Sequence, residues 1–272
     1  MKRELPGLEF WALIHPHTGD VTETRPAERS FSSDLTALVE CEKGPFFVKA
    51  MRNRPGGRRN SLAREKLINP AVHPVSPALL WSAEDDDWLA LGFEVVHGRR
   101  ADFTPDSTDL PVVTDALDRI GRLPLPDVAQ DWAENRWDRF LSERETELLR
   151  GDSLIHADTN PSNFVIGESH VWVVDWAWPT RGAAFISPAC LAEQLIASGH
   201  TAAGAEAWAA QCEGWADADP AAIDAFAVAT WRMNKWRADR SPEESWLGAM
   251  VEAARTWAEH RGVAGRAAAW PQ

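Results

Sequence analysis

Residues 154–178 read Leu-Ile-His-Ala-Asp-Thr-Asn-Pro-Ser-Asn-Phe-Val-Ile, then Gly-Glu-Ser-His, then Val-Trp-Val-Val-Asp-Trp-Ala-Trp, and this stretch decides the fold. His156, Asp158 and Asn163 stand in an H-x-D-x-x-x-x-N spacing, and a second aspartate, Asp175, follows two short apolar runs. Phe164 to Ile166 and Val171 to Val174 favour β structure, and Gly167 to His170 is long enough to reverse the chain, so the spacing predicts a hairpin. Asn163 enters that hairpin and Asp175 leaves it, so their side-chain oxygens can face one cavity. Such a pair suits Mg²⁺, which takes few protein ligands and completes its octahedron with phosphate and water. Asp158, a turn earlier, is placed to accept the proton of an attacking hydroxyl. The stretch reads as a phosphoryl-transfer centre.

A His-x-Asp pair alone would carry little weight, because aspartates at hairpin ends are commonly solvated turn residues. The full spacing, the hairpin and the second aspartate together carry the assignment. A metal-hydrolase centre, with His156, Asp158 and Asp175 holding zinc, competes with it but gives Asn163 no task.

On these residues the chain resembles the aminoglycoside phosphotransferase-like branch of the protein-kinase fold, whose members phosphorylate small molecules, and the resemblance covers most of the chain. It implies a two-lobed α+β architecture with a small antiparallel β-rich N-terminal lobe, a larger helical C-terminal lobe, and ATP as phosphoryl donor. It implies Asp158 as base and Asn163 and Asp175 as Mg²⁺ ligands. His156 is read as supporting the loop's geometry through hydrogen bonding.

Composition agrees with a small-molecule enzyme. A formal charge of −13 and a pI near 5.1 argue against nucleic acid or an anionic membrane as partner and fit a cationic or neutral substrate. No apolar run approaches the ~18 residues that span a bilayer, and Met1 to Gly7 does not read as a signal peptide, so a cytoplasmic location is expected. Cys41, Cys190 and Cys212 are widely spaced and form no C-x-x-C pair, so neither a disulfide framework nor a zinc knuckle is expected.

Taken in order, the chain opens with one apolar run, Leu8 to Ile14, and a polar stretch entering the first strands. Leu35 to Glu40 and Pro45 to Ala50 read as strands joined by a turn at 42–44. The resemblance places phosphate contact just before them. Here the family's glycine-rich loop is replaced by serines, and Ser30, Ser32 and Ser33 are the candidates for that contact. Lys49 ends an apolar strand and its ammonium must find an anion. A helix with Asn60-Ser61 as cap and Asn69-Pro70 as stop carries Glu65, the candidate partner of Lys49 in a kinase-type ion pair. Another hairpin, with strands Leu79 to Ser82 and Trp88 to Val96, completes about five strands. The resemblance makes Glu94 to Val96 the adenine-reading hinge, with Glu94 and Val96 contributing through the backbone.

A lobe boundary is expected near residue 97, giving a nucleotide-binding lobe at 1–97 and a helical lobe at 98–272. Helices are expected from Asp109 to Gly121, from about Trp132 to Leu149, from Ser187-Pro188 to Ser198, and near 202–214, 220–238 and 242–260, the last opening on a Ser241-Pro242-Glu243-Glu244 capping box. The family often carries an aspartate early in the third of these spans that braces the catalytic loop, whereas this chain has Ala189 and Cys190. Asp239, Glu243 and Glu244, with Trp236 and Trp246, form a candidate site for a basic acceptor, and Asp131, Glu134 and Asp138 form an alternative.

The sequence therefore points to an ATP- and Mg²⁺-dependent phosphotransferase acting on a small-molecule hydroxyl, with a cationic antibiotic as the acceptor and resistance as the role. A metabolic kinase acting on an amino alcohol or sugar is the first alternative. A kinase-like binding or regulatory protein is the second, supported by the missing glycines and by Asp-Trp-Ala where protein kinases have Asp-Phe-Gly.

Overall fold

The computed structural model describes residues 6–27 and 33–268. The chain divides into two compact units, one formed by residues 1–98 with 172–178 and the other by 99–171 with 179–272. A single cut near residue 97 misses the return of 172–178 to the first unit.

The first unit is a five-stranded antiparallel sheet with two helices. The run at the N-terminus is helix α1, Leu8–Thr18, which buries Phe10, Ile14 and Thr18 at i, i+4 and i+8 on one face. Phe10 meets Trp88 edge-on, with ring centroids 5.0 Å apart. Gly19 ends the helix at φ 64°, where a Cβ would also lie 2.4 Å from the Glu42 carboxylate. Strands β1 (Val21–Pro26), β2 (Leu35–Cys41) and β3 (Phe46–Arg52) follow; β2 and β3 bury alternate residues, as half-covered strands should.

Helix α2 runs Gly57–Val72, a turn beyond both ends expected from Asn60 and Pro70. Proline there removes one late intrahelical bond but does not end the helix, because Asn69 is pinned in place. Its amide donates to the Pro77 carbonyl at 2.8 Å and its Oδ1 accepts from Leu79 N–H at 2.7 Å. Strands β4 (Leu79–Glu84) and β5 (Trp88–Phe93) complete the sheet, whose order is β1-β2-β3-β5-β4. All six residues of β5 are buried, which explains its continuous apolar sequence. The strand stops at Phe93 and does not reach Val96; just past it the Glu94 N–H bonds the Ala78 carbonyl at 2.9 Å, next to the Leu79–Phe93 pair.

The second unit is mainly helical. It begins with β6 (Arg99–Arg100) and α3 (Leu110–Gly121), whose buried Val113, Leu117 and Ile120 form the expected apolar face. The continuous helix expected over 132–149 is absent. In its place are a 3₁₀ turn at Asp138–Phe140 and a short α4, Glu143–Glu147, opened by a Ser142/Glu145 capping box. The reason lies in Glu134, whose N–H bonds the Arg181 carbonyl at 2.8 Å while Arg181 N–H bonds Trp132 O at 2.7 Å. Glu134 is also buried, and its carboxylate grips Arg136 two residues on and Thr180 at 2.6 Å. These bonds draw the backbone toward Arg181 and away from a helical path.

Strands β7 (Ser153–Ile155) and β8 (Phe164–Ile166) flank the H-x-D loop; β9 (Val171–Val173) follows the turn closed by Gly167 N–H and the His170 carbonyl at 2.9 Å. Strand β10 (Thr180–Gly182) pairs antiparallel with β7. Helices α5 (Ile186–Ala197), α6 (Ala202–Ala209), α7 (Glu213–Ala216), α8 (Pro220–Arg240), α9 (Ser245–His260) and α10 (Ala264–Ala268) complete the unit. The first half of α8 is apolar on nearly every side because it lies at the centre of the unit. Its Phe226 touches Trp137, Phe185 and Trp257, with centroids 4.7, 5.9 and 6.1 Å away. No helix among the described residues is long and apolar enough to cross a membrane.

Candidate active site

In the first unit, β3 carries Lys49 on the side of the strand that α2 covers, and the stem of the lysine is largely buried. Its Nζ lies 2.7 Å from Glu65 Oε1 and 3.1 Å from Asp175 Oδ1. The side chains of Lys49 and Glu65 are only 14% and 7% exposed, whereas Asp175 is 41% exposed. Burial alone would lower the ammonium pKa, but the Glu65 and Asp175 carboxylates more than offset it and hold Lys49 charged above its ordinary range. Burial pushes the Glu65 carboxyl up, against the pull of Lys49 and of the Trp176 N–H that it accepts.

Asp175 has φ 64°, and among the described residues it is the sole non-glycine with a positive φ. Aspartate enters the left-handed region more readily than most residues, and such a conformation marks a backbone held in place by its surroundings. The segment is anchored on either side, by Val173 N–H on the Val75 carbonyl at 2.7 Å and by Trp176 Nε1 on the Val173 carbonyl at 3.0 Å.

Ser30 and Ser32 lie outside the described residues. Ser33 is buried and its hydroxyl pairs with that of Thr36. Glu94 and Val96 are half-buried beyond the end of β5. Glu94 N–H is used by Ala78, while nothing among the described residues pairs with the Glu94 carbonyl or the Val96 N–H.

In the second unit, β7 delivers His156 buried and Asp158 exposed. Asn160 locks the loop between them and β8. Its Nδ2 donates to Asp158 Oδ1 at 2.7 Å and its Oδ1 accepts from Ser162 N–H at 3.0 Å. Asn163 is buried and donates Nδ2 to the Asp158 backbone carbonyl at 2.9 Å. That bond uses the amide as a donor and leaves its Oδ1 as an acceptor. Ser187, at the start of α5, accepts from the buried His156 N–H at 3.2 Å. The sequence reading missed Ser187 and Asn160. A polar residue opening the helix was the available signal for Ser187, which stands two residues before the position where the family's aspartate was sought.

The acidic-aromatic cluster expected to take a cationic acceptor is already satisfied from within. Trp236 is covered by the guanidinium groups of Arg139 and Arg240, 4.3 and 4.5 Å from its ring, and Trp246 by Arg237 at 5.5 Å. Asp239 pairs with Lys235 at 2.9 Å and Glu244 accepts from Trp246 Nε1 at 2.8 Å. Helix α9 begins at Ser245, and Ser241 ends α8 instead of capping α9. The alternative cluster is also internal in part, with Glu134 held by Arg136 and Asp138 by Arg150 at 2.6 Å.

No protein-family model and no curated protein sequence matches the chain. Its fold does match solved structures. Choline kinase LicA from Streptococcus pneumoniae is similar over 92% of this chain and 98% of its own, with a TM-score of 0.66 at 12% identity. A microcompartment-associated aminopropanol kinase is similar over 93% and 96%, with a TM-score of 0.62 at 14% identity. The amicoumacin kinase hAmiN, in complex with AMP-PNP, Ca²⁺ and amicoumacin, is similar over 93% and 92%, with a TM-score of 0.57 at 13% identity. The chain therefore has the two-lobed α+β protein-kinase-like fold that these small-molecule kinases share.

Proposed function

We propose that the protein is an ATP-dependent phosphotransferase that moves the γ-phosphoryl group to a hydroxyl of a small molecule. The observation that carries this reading is Lys49 held between Glu65 and Asp175. An ammonium gripped by a buried carboxylate and a half-exposed one keeps its charge and a fixed direction, which is what contact with nucleotide phosphates requires. The Glu94 carbonyl and Val96 N–H are assigned to the adenine edge. Ser30, Ser32 and Ser33 remain the candidates for phosphate contact, Ser33 through its backbone because its hydroxyl is engaged.

Asn163 and Asp175 are the residues we assign to Mg²⁺, since an amide oxygen and a carboxylate are both hard donors of the kind this cation takes. Mg²⁺ takes most of its ligands from phosphate and water, so few protein donors are needed. Bound there, Mg²⁺ would neutralise charge on the triphosphate. Asp158 accepts the proton of the attacking hydroxyl with the oxygen that Asn160 leaves open. Asn160 and Ser187 keep the loop in that geometry.

The acceptor we propose is a small molecule bearing a hydroxyl and an amine, in keeping with the charge of −13 and with the acceptors named for the choline and aminopropanol kinases. A cationic antibiotic meets the same description, as the amicoumacin kinase illustrates, and an intracellular resistance role follows if one is the preferred substrate. The test is ADP release, with ATP or GTP and Mg²⁺, across amino alcohols, sugars, aminoglycosides and peptide and nucleoside antibiotics. Turnover with one acceptor class supports the reading. Nucleotide binding without turnover on any of them would favour a regulatory protein.

A further inference from the structure

The helical unit contains a cavity of about 420 Å³, formed where the end of α3, the start of α5, α7 and the start of α8 meet. Of the residues assigned to phosphoryl transfer, Ser187, which braces the loop, is the one that lines it. Its size falls within the range that holds a small organic ligand. The walls are apolar, with Leu117, Leu148, Leu154, Phe185, Pro188 and Ala222 contributing. Cys212 belongs to the same wall, and burial pushes its thiol up to about 12, so it stays neutral and adds no anion to the interior.

The rim is charged and unbalanced. Asp118, Glu213, Asp217 and Asp219 face one cation, Arg122. Arg122 straps α3 to α7, with its guanidinium 2.5 Å from Asp118 and 2.7 Å from Glu213, and Glu213 N–H adds a bond to Asp118 at 2.9 Å. Asp219 is committed to α8, accepting from Ala221 N–H at 2.9 Å. Asp217 is exposed and has no side-chain partner among the described residues. One carboxylate is therefore available at the mouth of an apolar chamber, within a rim whose net charge is negative.

Two glycines define the space. A Cβ on Gly214 would lie 2.8 Å from the Ala184 carbonyl, so α7 packs directly on the chain that leads into α5 and that wall is fixed. A Cβ on Gly121 would meet nothing within 4 Å, so the end of α3 faces open space.

We propose that this cavity is a second binding site, for a small primary amine with a compact apolar body. The apolar body would leave water for the walls, and the ammonium would stay at the rim beside Asp217. A bare metal ion does not fit, since no group of three ligating side chains among the described residues converges on a point. An anion is disfavoured by the rim's charge. The site also touches the transfer loop indirectly, because Ser187 lines the cavity and accepts the His156 N–H.

The proposal is independent of the phosphotransferase reading and is tested without nucleotide. Phenethylammonium is titrated into ¹⁵N-labelled full-length protein while the amides of Gly121, Gly214 and His156 are followed. Saturable shifts at these amides are expected, with Gly121→Leu, which fills the space, abolishing them. Asp217→Asn should weaken binding by about tenfold, the worth of one charge-assisted hydrogen bond. Phenethyl alcohol, which lacks the charge, should bind more weakly than the amine by a similar factor. Both variants alter exposed positions, so the fold is not at risk. Absence of saturable shifts at Gly121 and Gly214, shifts unaffected by Gly121→Leu, or equal affinity for the amine and the alcohol would each overturn the proposal.

Discussion

Asp175, held at φ 64°, places its carboxylate 3.1 Å from the ammonium of Lys49. A backbone conformation uncommon outside glycine is thus maintained at the point where a strand-borne cation needs a second anion. With Glu65 on the other side, three charges share one partly buried site, and changing any one alters the electrostatics of the other two.

Lys49→Met should expose that dependence as a loss of stability. It leaves the Glu65 and Asp175 carboxylates without their cation, and breaking a buried pair in this way costs about 3 kcal/mol. Burial already raises the Glu65 pKa in the folded protein, and losing Lys49 raises it further. A carboxyl raised on folding contributes stability below its unfolded pKa and loses it as pH rises through the folded one. The deficit in urea melts should therefore be smaller near about pH 5 than near about pH 8. Adding Glu65→Gln should recover part of it, so that the double variant loses less than the two singles together. Equal deficits at both pH values with additive losses would contradict the coupling.

Asp175→Asn separates charge from conformation. Asparagine tolerates positive φ as well as aspartate does, so folding should be retained. Affinity for a fluorescent ATP analogue should fall by roughly tenfold or more with Mg²⁺ present, on the loss of a hard anionic ligand. It should change little in EDTA. A similar loss in both conditions would remove Asp175 from the metal site.

The outcome for Lys49 shows what was legible in the sequence. A lysine closing an apolar strand and a glutamate in the next helix carry local signals, and the strands around them alternate or run apolar as their burial demands. The loop from His156 to Asn163 was legible for the same reason, since its spacing is set by short-range hydrogen bonds. Tertiary contacts hid the rest. Glu134 reads as a good helix former, yet its bonds to Arg181, Arg136 and Thr180 draw the 132–149 segment out of a helix. Pro70 reads as a stop, but the Asn69 side chain holds the helix end in place. The Trp236 and Trp246 faces read as open to a ligand cation, and arginines distant in sequence or one turn away already cover them.

Ser187→Ala tests the brace on the loop. It removes the acceptor of a buried N–H, worth about 1 kcal/mol. If the bond positions Asp158, turnover should drop by roughly fivefold at unchanged ATP KM, the signature of a group that matters to the reacting geometry and not to nucleotide binding. A loss of thermal stability with turnover intact would make Ser187 merely structural.

Glu193 gives a pH dependence unrelated to the transfer site. Burial pushes its carboxyl up to about 8, against the Asn234 amide and the more distant Arg237. The folded value lies above the unfolded one, so its contribution is present at low pH and is lost as pH rises through about 8. Thermal stability of the wild type should fall over that window, and Glu193→Gln, which mimics the protonated acid, should flatten the fall. Parallel profiles for the two proteins would rule Glu193 out as the titrating group.

The central claim, that Asp158 is the base of a phosphoryl transfer, is tested most directly by ADP release from Asp158→Asn with the preferred acceptor. Asparagine retains an oxygen for the Asn160 bond and so preserves the loop while removing the basic oxygen. Turnover should fall by at least ~10²-fold, the contribution of a positioned general base, with ATP affinity unchanged. An Asp158→Asn protein that turns over its acceptor at the wild-type rate would contradict the account.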